Sequence, residues 1–103
     1  MLLDSRGRVD PVGPLFDPEF GPTLVITTEY ADGHAIDAWR AAEARVEVVD
    51  PGPDGKGVDL DAALAVLGCE NVLQALVEGG GTLLGALVSA GLVQRLVAYV
   101  APV

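Results

Sequence analysis

Apolar residues in this 103-residue chain fall into short blocks, and their period changes from one block to the next. Ala35, Ala38, Trp39 and Ala42, with Ile36 beside them, mark one face of a helix. Val46, Val48 and Val49 follow as a short strand. Leu60, Ala63, Leu64 and Leu67 repeat at i, i+3, i+4 and i+7, the stripe of a helix that Asp59 can cap and Gly68 can end. Val72, Leu73, Ala75, Leu76 and Val77 form a near-continuous apolar run, the pattern of a strand buried on both faces of a parallel sheet. Leu83, Leu84, Ala86, Leu87, Val88 and Ala90 return to helical spacing, and Gly91 stops that helix where a left-handed residue is commonly needed. Two proline- and glycine-rich stretches, 10–14 and 17–22, block regular structure and read as a surface excursion, and 50–57 is a second loop of this kind. The resulting order is strand, loop, strand, helix, strand, loop, helix, strand, helix, strand. Strands alternating with helices predict an α/β layered fold with a mostly parallel sheet.

The densest chemical signal sits between the apolar run and the last helix, at Val77-Glu78-Gly79-Gly80-Gly81-Thr82-Leu83-Leu84-Gly85. Glycines let the main chain approach a ligand closely, and the first helical turn offers N–H groups without intrahelical partners together with a partial positive charge. Phosphate fits such a joint, and a simple tight bend fits it equally well by composition. Two familiar phosphate loops are excluded. Gly80 and Gly85 have the G-x-x-x-x-G spacing, but Ala86 and Leu87 stand where Lys and Ser or Thr are required. Gly79 and Gly81 begin a G-x-G-x-x-G, but Leu84 takes the third glycine position.

The stretch Leu76-Val77-Glu78-Gly79-Gly80-Gly81-Thr82-Leu83-Leu84-Gly85-Ala86-Leu87, continuing through Ala90-Gly91-Leu92-Val93 to Tyr99-Val100-Ala101-Pro102, resembles the reductase domain of the bifunctional riboflavin-biosynthesis deaminase/reductase family. This is the RibD C-terminal type, whose fold is dihydrofolate-reductase-like. Leu2-Leu3-Asp4-Ser5-Arg6-Gly7-Arg8-Val9 resembles the family's strand and turn with an Asp-Ser pair, and Thr23-Leu24-Val25-Ile26-Thr27-Thr28 resembles the strand after it. Gln94-Arg95 departs from the acidic pair common in the family. The resemblance implies a three-layer α/β fold and a chain that is one partial reductase domain, 1–103, truncated at both ends.

By the same resemblance, Glu78 contacts the substrate. Gly80, Gly81, Thr82, Leu83, Leu84, Gly85 and Ala86 hold NADPH through backbone amides at the helix start, and Ser5 touches the cofactor while Asp4 orients the turn. The Gly79–Gly80 peptide is expected to be cis or strained. The implied reaction is NADPH-dependent reduction of 5-amino-6-(5-phosphoribosylamino)uracil to the ribitylamino product, with a homodimer in the full-length protein. The catalytic acid falls ahead of Met1 in this family, so none is assigned, and the isolated chain is expected to bind NADPH weakly or not at all. A non-catalytic binding or assembly remnant, or a reductase of another pterin or pyrimidine, are the alternatives.

Charge narrows the partners. With 15 acidic and 6 basic residues the formal charge is −9, which opposes non-specific attraction to nucleic acid or to an anionic membrane. No apolar run reaches the roughly 20 residues of a membrane span, and a soluble, cytoplasmic protein is expected. One cysteine, Cys69, allows no internal disulfide and is read as a buried or half-buried thiol, and no Cys/His cluster has metal-ligand spacing. His34 is read as a surface residue and Trp39 as a packing residue.

Overall fold

The computed structural model describes residues 1–78 and 81–95. They divide into two compact units, Met1–Leu73 and Gln74–Val103, which are taken in turn.

The first unit is built on three parallel strands, β1 (Leu2–Leu3), β2 (Leu24–Thr27) and β3 (Arg45–Val48), in that spatial order. Leu2 pairs with Val25 and Val25 with Val46, while Leu3 pairs with Ile26 and Ile26 with Glu47. Because side chains alternate across a strand, this register sorts them onto two faces. On one face Val25 joins Trp39, Ala31, Ala44 and Phe16, with Leu2, Ile36 and Val46 packed around them. On the other, Ile26 joins Val58 and Ala63, flanked by Leu3, Leu24, Leu60 and Val66. Helix α1 (Gly33–Ala41) therefore covers one side of the sheet and α2 (Leu60–Cys69) the other. This is the layered α/β arrangement with a parallel sheet that the alternating pattern predicts. Val25, Ile26 and Thr27 are fully buried, as a central parallel strand requires.

Local signals explain the boundaries. Asp32 caps α1 by accepting from Ala35 N at 2.8 Å, and Asp59 caps α2 by accepting from Ala62 N at 3.0 Å. The excursion between β1 and β2 is more ordered than its prolines suggest. It forms two successive 3₁₀ turns, Pro14–Phe16 and Pro18–Phe20, the first of which delivers Phe16 into the core. Pro at the start of each turn presets its φ.

Each described helix closes with the same pair of reverse hydrogen bonds. In α1 they run from Ala44 N to Trp39 O and from Glu43 N to Arg40 O, both at 3.0 Å, and in α2 from Val72 N to Leu67 O and from Asn71 N to Gly68 O, both at 3.1 Å. The residue at the bend is left-handed, with φ of 65° at Glu43 and 61° at Asn71. Two expectations are corrected here. Gly68 does not end α2, because Asn71 supplies the left-handed residue and the helix runs on to Cys69. Leu64 is exposed, and Val66 packs in its place beside Leu60 and Ala63.

In the second unit, helix α3 (Gly81–Ser89) ends as expected at Gly91, φ 70°, with Leu92 N bonded to Leu87 O and Gly91 N to Val88 O, each at 3.0 Å. The expected strand over 72–77 is not formed. Residues 72–78 have no regular structure, Leu73 is fully exposed and Leu76 is 85% exposed. An apolar run supplies side chains for a buried strand, but its backbone becomes one only when a neighbouring edge takes its N–H and C=O groups. Among the described residues no strand pairs with it. The expected Gly79–Gly80 peptide geometry and the final strand around Tyr99 lie outside the described residues.

Replacing Glu43 with Gly is expected to stabilise the first unit by about 0.5–1 kcal/mol, since a left-handed residue with a Cβ is strained. Asn71→Gly should give a smaller gain because Asn tolerates this conformation. Urea denaturation followed by Trp39 fluorescence measures both.

Candidate functional site

In open α/β sheets, ligands bind beyond the carboxyl ends of the strands. Here that edge is organised by Asp4, the residue directly after β1, which is buried. Its Oδ1 accepts from Arg6 N at 3.3 Å and Gly7 N at 3.1 Å, and its Oδ2 accepts from Val9 N at 2.7 Å. One carboxylate thus satisfies three main-chain donors of the turn, which is the orienting role expected of it. Charge-assisted bonds of this kind are stronger than neutral ones. Gly7 completes the turn with φ 72°, and a Cβ there would lie 2.8 Å from Ala35 Cβ, so only glycine allows this close approach to α1.

A second set of bonds ties β1 to β2 beyond the sheet ladder. Thr27 Oγ1 donates to Asp4 O and Thr28 Oγ1 donates to Ser5 O, both at 2.6 Å, while Tyr30 N donates to Thr28 Oγ1 at 3.1 Å. Ser5, assigned to the cofactor by resemblance, is half-buried within this frame. The Arg6 guanidinium lies over the Tyr30 ring, 5.3 Å from its centroid. From the far side of the turn, Val9 O accepts from the Trp39 indole N–H at 2.9 Å, so Trp39 packs and donates at once.

The other candidate residues belong to the second unit. Glu78 is exposed in an irregular segment, not at the end of a strand. Gly80 lies outside the described residues. Gly81 opens α3, Thr82 is exposed on its first turn, Leu83 and Leu84 are half-buried, and Gly85 and Ala86 are exposed. A Cβ at Gly85 would meet nothing within 4 Å. Packing against the described residues therefore does not demand a glycine there. The first-turn amides have no intrahelical acceptor by the geometry of any helix.

The chain matches the RibD C-terminal domain model over residues 1–103. It belongs to the RibD C-terminal domain family. It is 37% identical over 102 residues to the riboflavin biosynthesis protein RibD of Chlamydia pneumoniae, and 45% identical over 103 residues to that of Escherichia coli strain K12. Both alignments cover 99% of this chain and 26% of the relative, so this RibD C-terminal chain spans about a quarter of the length of the relatives it matches.

Other features of this RibD C-terminal chain fall away from that edge. An open cavity of about 270 Å³, lined by Phe16, Pro18, Gly21, Pro22, Thr23, Ala42 and Glu43, lies at the amino end of β2, the opposite end from Asp4 and Thr28. Its polar side chains are Glu43 and Thr23, whose hydroxyl already donates to Leu15 O, whereas the carboxyl edge gathers Asp4, Ser5, Thr28 and Tyr30 in one hydrogen-bonded frame and is the stronger candidate. His34 is exposed, as expected. Cys69 is exposed and not buried, because the last turn of α2 turns that position away from the sheet. Among the described residues, no helix is long and apolar enough to cross a membrane.

Sequence reasoning did not find the Thr27–Thr28 clamp or the Arg6–Tyr30 stack. The threonine pair at the end of an apolar strand was the available signal for the first. The second depends on tertiary contact between two turns. Asp4→Ala is expected to cost about 2–4 kcal/mol, because three main-chain donors lose their acceptor, and Asp4→Asn about half as much. Gly7→Ala should cost about 1–3 kcal/mol through the left-handed φ and the contact with Ala35. Chemical denaturation ranks all three.

Proposed function

We propose that this chain is part of an NADPH-dependent reductase of riboflavin biosynthesis that converts 5-amino-6-(5-phosphoribosylamino)uracil to its ribitylamino product. The observation that carries this reading is the exposed start of α3, where Thr82, Gly85 and Ala86 face outward and Gly85 leaves open space beside the helix. Helix amides and dipole at such a start suit a diphosphate. In this reading Gly80, Gly81, Thr82, Leu83, Leu84, Gly85 and Ala86 hold the cofactor with Ser5, and Glu78 accepts N–H bonds from the aminopyrimidine edge. When bound, NADPH supplies the hydride. The protein's own residues bind and orient, and a proton donor for the sugar is not among the assigned groups. The chain acts as one partial domain, 1–103, of a soluble cytoplasmic protein that forms homodimers.

A second reading is favoured by one observation, the exposure of Leu73 and Leu76. Apolar side chains on an unpaired segment promote association, which suits an assembly remnant. A reductase of another pterin or pyrimidine would share the same cofactor site.

In a longer protein that carries this chain, Gly85→Leu should leave folding intact, since the added side chain enters open space, yet raise KM for NADPH about tenfold or more. Glu78→Gln should raise KM for the pyrimidine by about tenfold and leave that for NADPH unchanged. The isolated 103-residue chain should show no turnover. Robust NADPH oxidation by that chain, or an unchanged KM in Gly85→Leu, would sink the reading.

A further inference from the structure

Of the residues that line the cavity at the amino end of β2, only Glu43 carries an ionisable side chain, and its backbone is in an unfavourable conformation. Glu43 closes α1 by donating its N–H to Arg40 O at 3.0 Å, with a left-handed φ of 65°. Among the described residues two other non-glycine positions share that conformation, Asp54 and Asn71, and these are the residue types that tolerate it. Glutamate is not. The helix closure itself asks only for a glycine, so a charged side chain kept there at a cost in backbone strain implies a use for its carboxylate.

The surroundings define what that carboxylate can meet. Phe16, Pro18, Pro22 and Ala42 give the cavity apolar walls, and the Thr23 hydroxyl is already engaged by Leu15 O. An alkyl stem ending in a cation matches both features, its carbons against the walls and its head on the acid. Charge agrees. Residues 9–39 contain no Lys or Arg, and the excursion before β2 adds Asp10, Asp17 and Glu19. Of the arginines next to Glu43 in sequence, Arg45 is engaged by Glu47 and Glu70, and Arg40 does not line the cavity. A second copy of a chain with formal charge −9 is a poor occupant. The apolar surface also exceeds the needs of a small ion, because Val12 and Phe20 on the same excursion are 76% and 75% exposed. Such a surface suits a polypeptide.

We infer that this cavity docks a basic peptide segment of a partner protein, one in which apolar residues flank an arginine whose guanidinium meets Glu43. Arginine fits better than lysine because its planar fork can bind a carboxylate with two parallel bonds. The inference goes beyond the reductase reading and does not rest on it, since the cavity lies at the end of β2 away from Asp4 and Thr28.

The test is ¹H–¹⁵N NMR of the full 103-residue chain, titrated to millimolar concentration with acetyl-Leu-Arg-Leu-amide, with the same peptide carrying neutral citrulline for arginine, and with ethylguanidinium. The expected result is a shift of the Gly21, Thr23, Ala42 and Glu43 amides with the arginine peptide, and binding of the citrulline peptide and of ethylguanidinium about tenfold weaker or more. Glu43→Gln should weaken the arginine peptide about tenfold. Glu43→Gly should do the same while raising the urea midpoint, so that lost binding cannot be lost folding. Equal affinity for the two peptides, undiminished binding by Glu43→Gln, or no response at millimolar peptide would each overturn the inference. Ethylguanidinium binding as tightly as the peptide would overturn it in favour of a small cation, and concentration-dependent shifts of the same amides without peptide would overturn it in favour of a second copy.

Discussion

The carboxyl edge of the sheet depends on one buried anion. Asp4 sits where β1 ends, and its two oxygens collect the amides of Arg6, Gly7 and Val9. These bonds are part-buried, and without the carboxylate the three N–H groups would have to find water or other partners. With the carboxylate in place, the turn closes tightly enough for Gly7 to meet Ala35 and Ala31, and for Val9 O to reach the Trp39 indole. The apolar face formed by Val25, Trp39 and Phe16 is thereby joined to a polar frame, and the two constrain each other. Thr27 and Thr28 extend that frame to β2 by donating to the carbonyls of Asp4 and Ser5. These few hydrogen bonds are what give a strand of only two residues a defined exit.

Much of the fold was legible because its signals are local. The alternation of strands and helices, the Asp59 cap and the Gly91 stop each follow from a side chain acting on its immediate backbone. Where the outcome depends on distant partners, periodicity was a weaker guide. The run at 72–77 carries strand-like side chains but finds no edge among the described residues, so it stays irregular with Leu73 and Leu76 bare. Gly68 lost the closing position to Asn71 because a helix stops where the reverse bonds to Leu67 and Gly68 can form, not at the first permissive residue. Leu64 and Cys69 were placed on the wrong side for a related reason. The face of α2 that packs with Ile26 and Val58 is the one carrying Leu60, Ala63 and Val66, and that choice depends on the sheet beneath it.

The candidate site divides in the same way. The role of Asp4 in its turn came with the Asp-Ser pair that resembles the family's, and Trp39 was readable as a packing residue. The exposed start of α3 was readable from the glycine run, whereas the irregular setting of Glu78 was not, because it depended on the missing strand. The Arg6–Tyr30 stack brings together residues from separate turns, and only the pairing of β1 with β2 makes them neighbours. Likewise the two-faced register, with Val25 toward α1 and Ile26 toward α2, turns a run of consecutive apolar residues into two separate cores.

The chain contains a single tryptophan, and its indole is both fully buried and hydrogen-bonded to Val9 just beyond the Asp4 turn. Nature has thus placed one optical reporter at the seam between core and carboxyl edge. Its emission wavelength should register loss of the indole hydrogen bond before wholesale melting, because a freed N–H admits water while the ring is still enclosed. The same dye is set within Met1–Leu73, so intrinsic emission provides a built-in readout for that portion of the molecule without any label being attached.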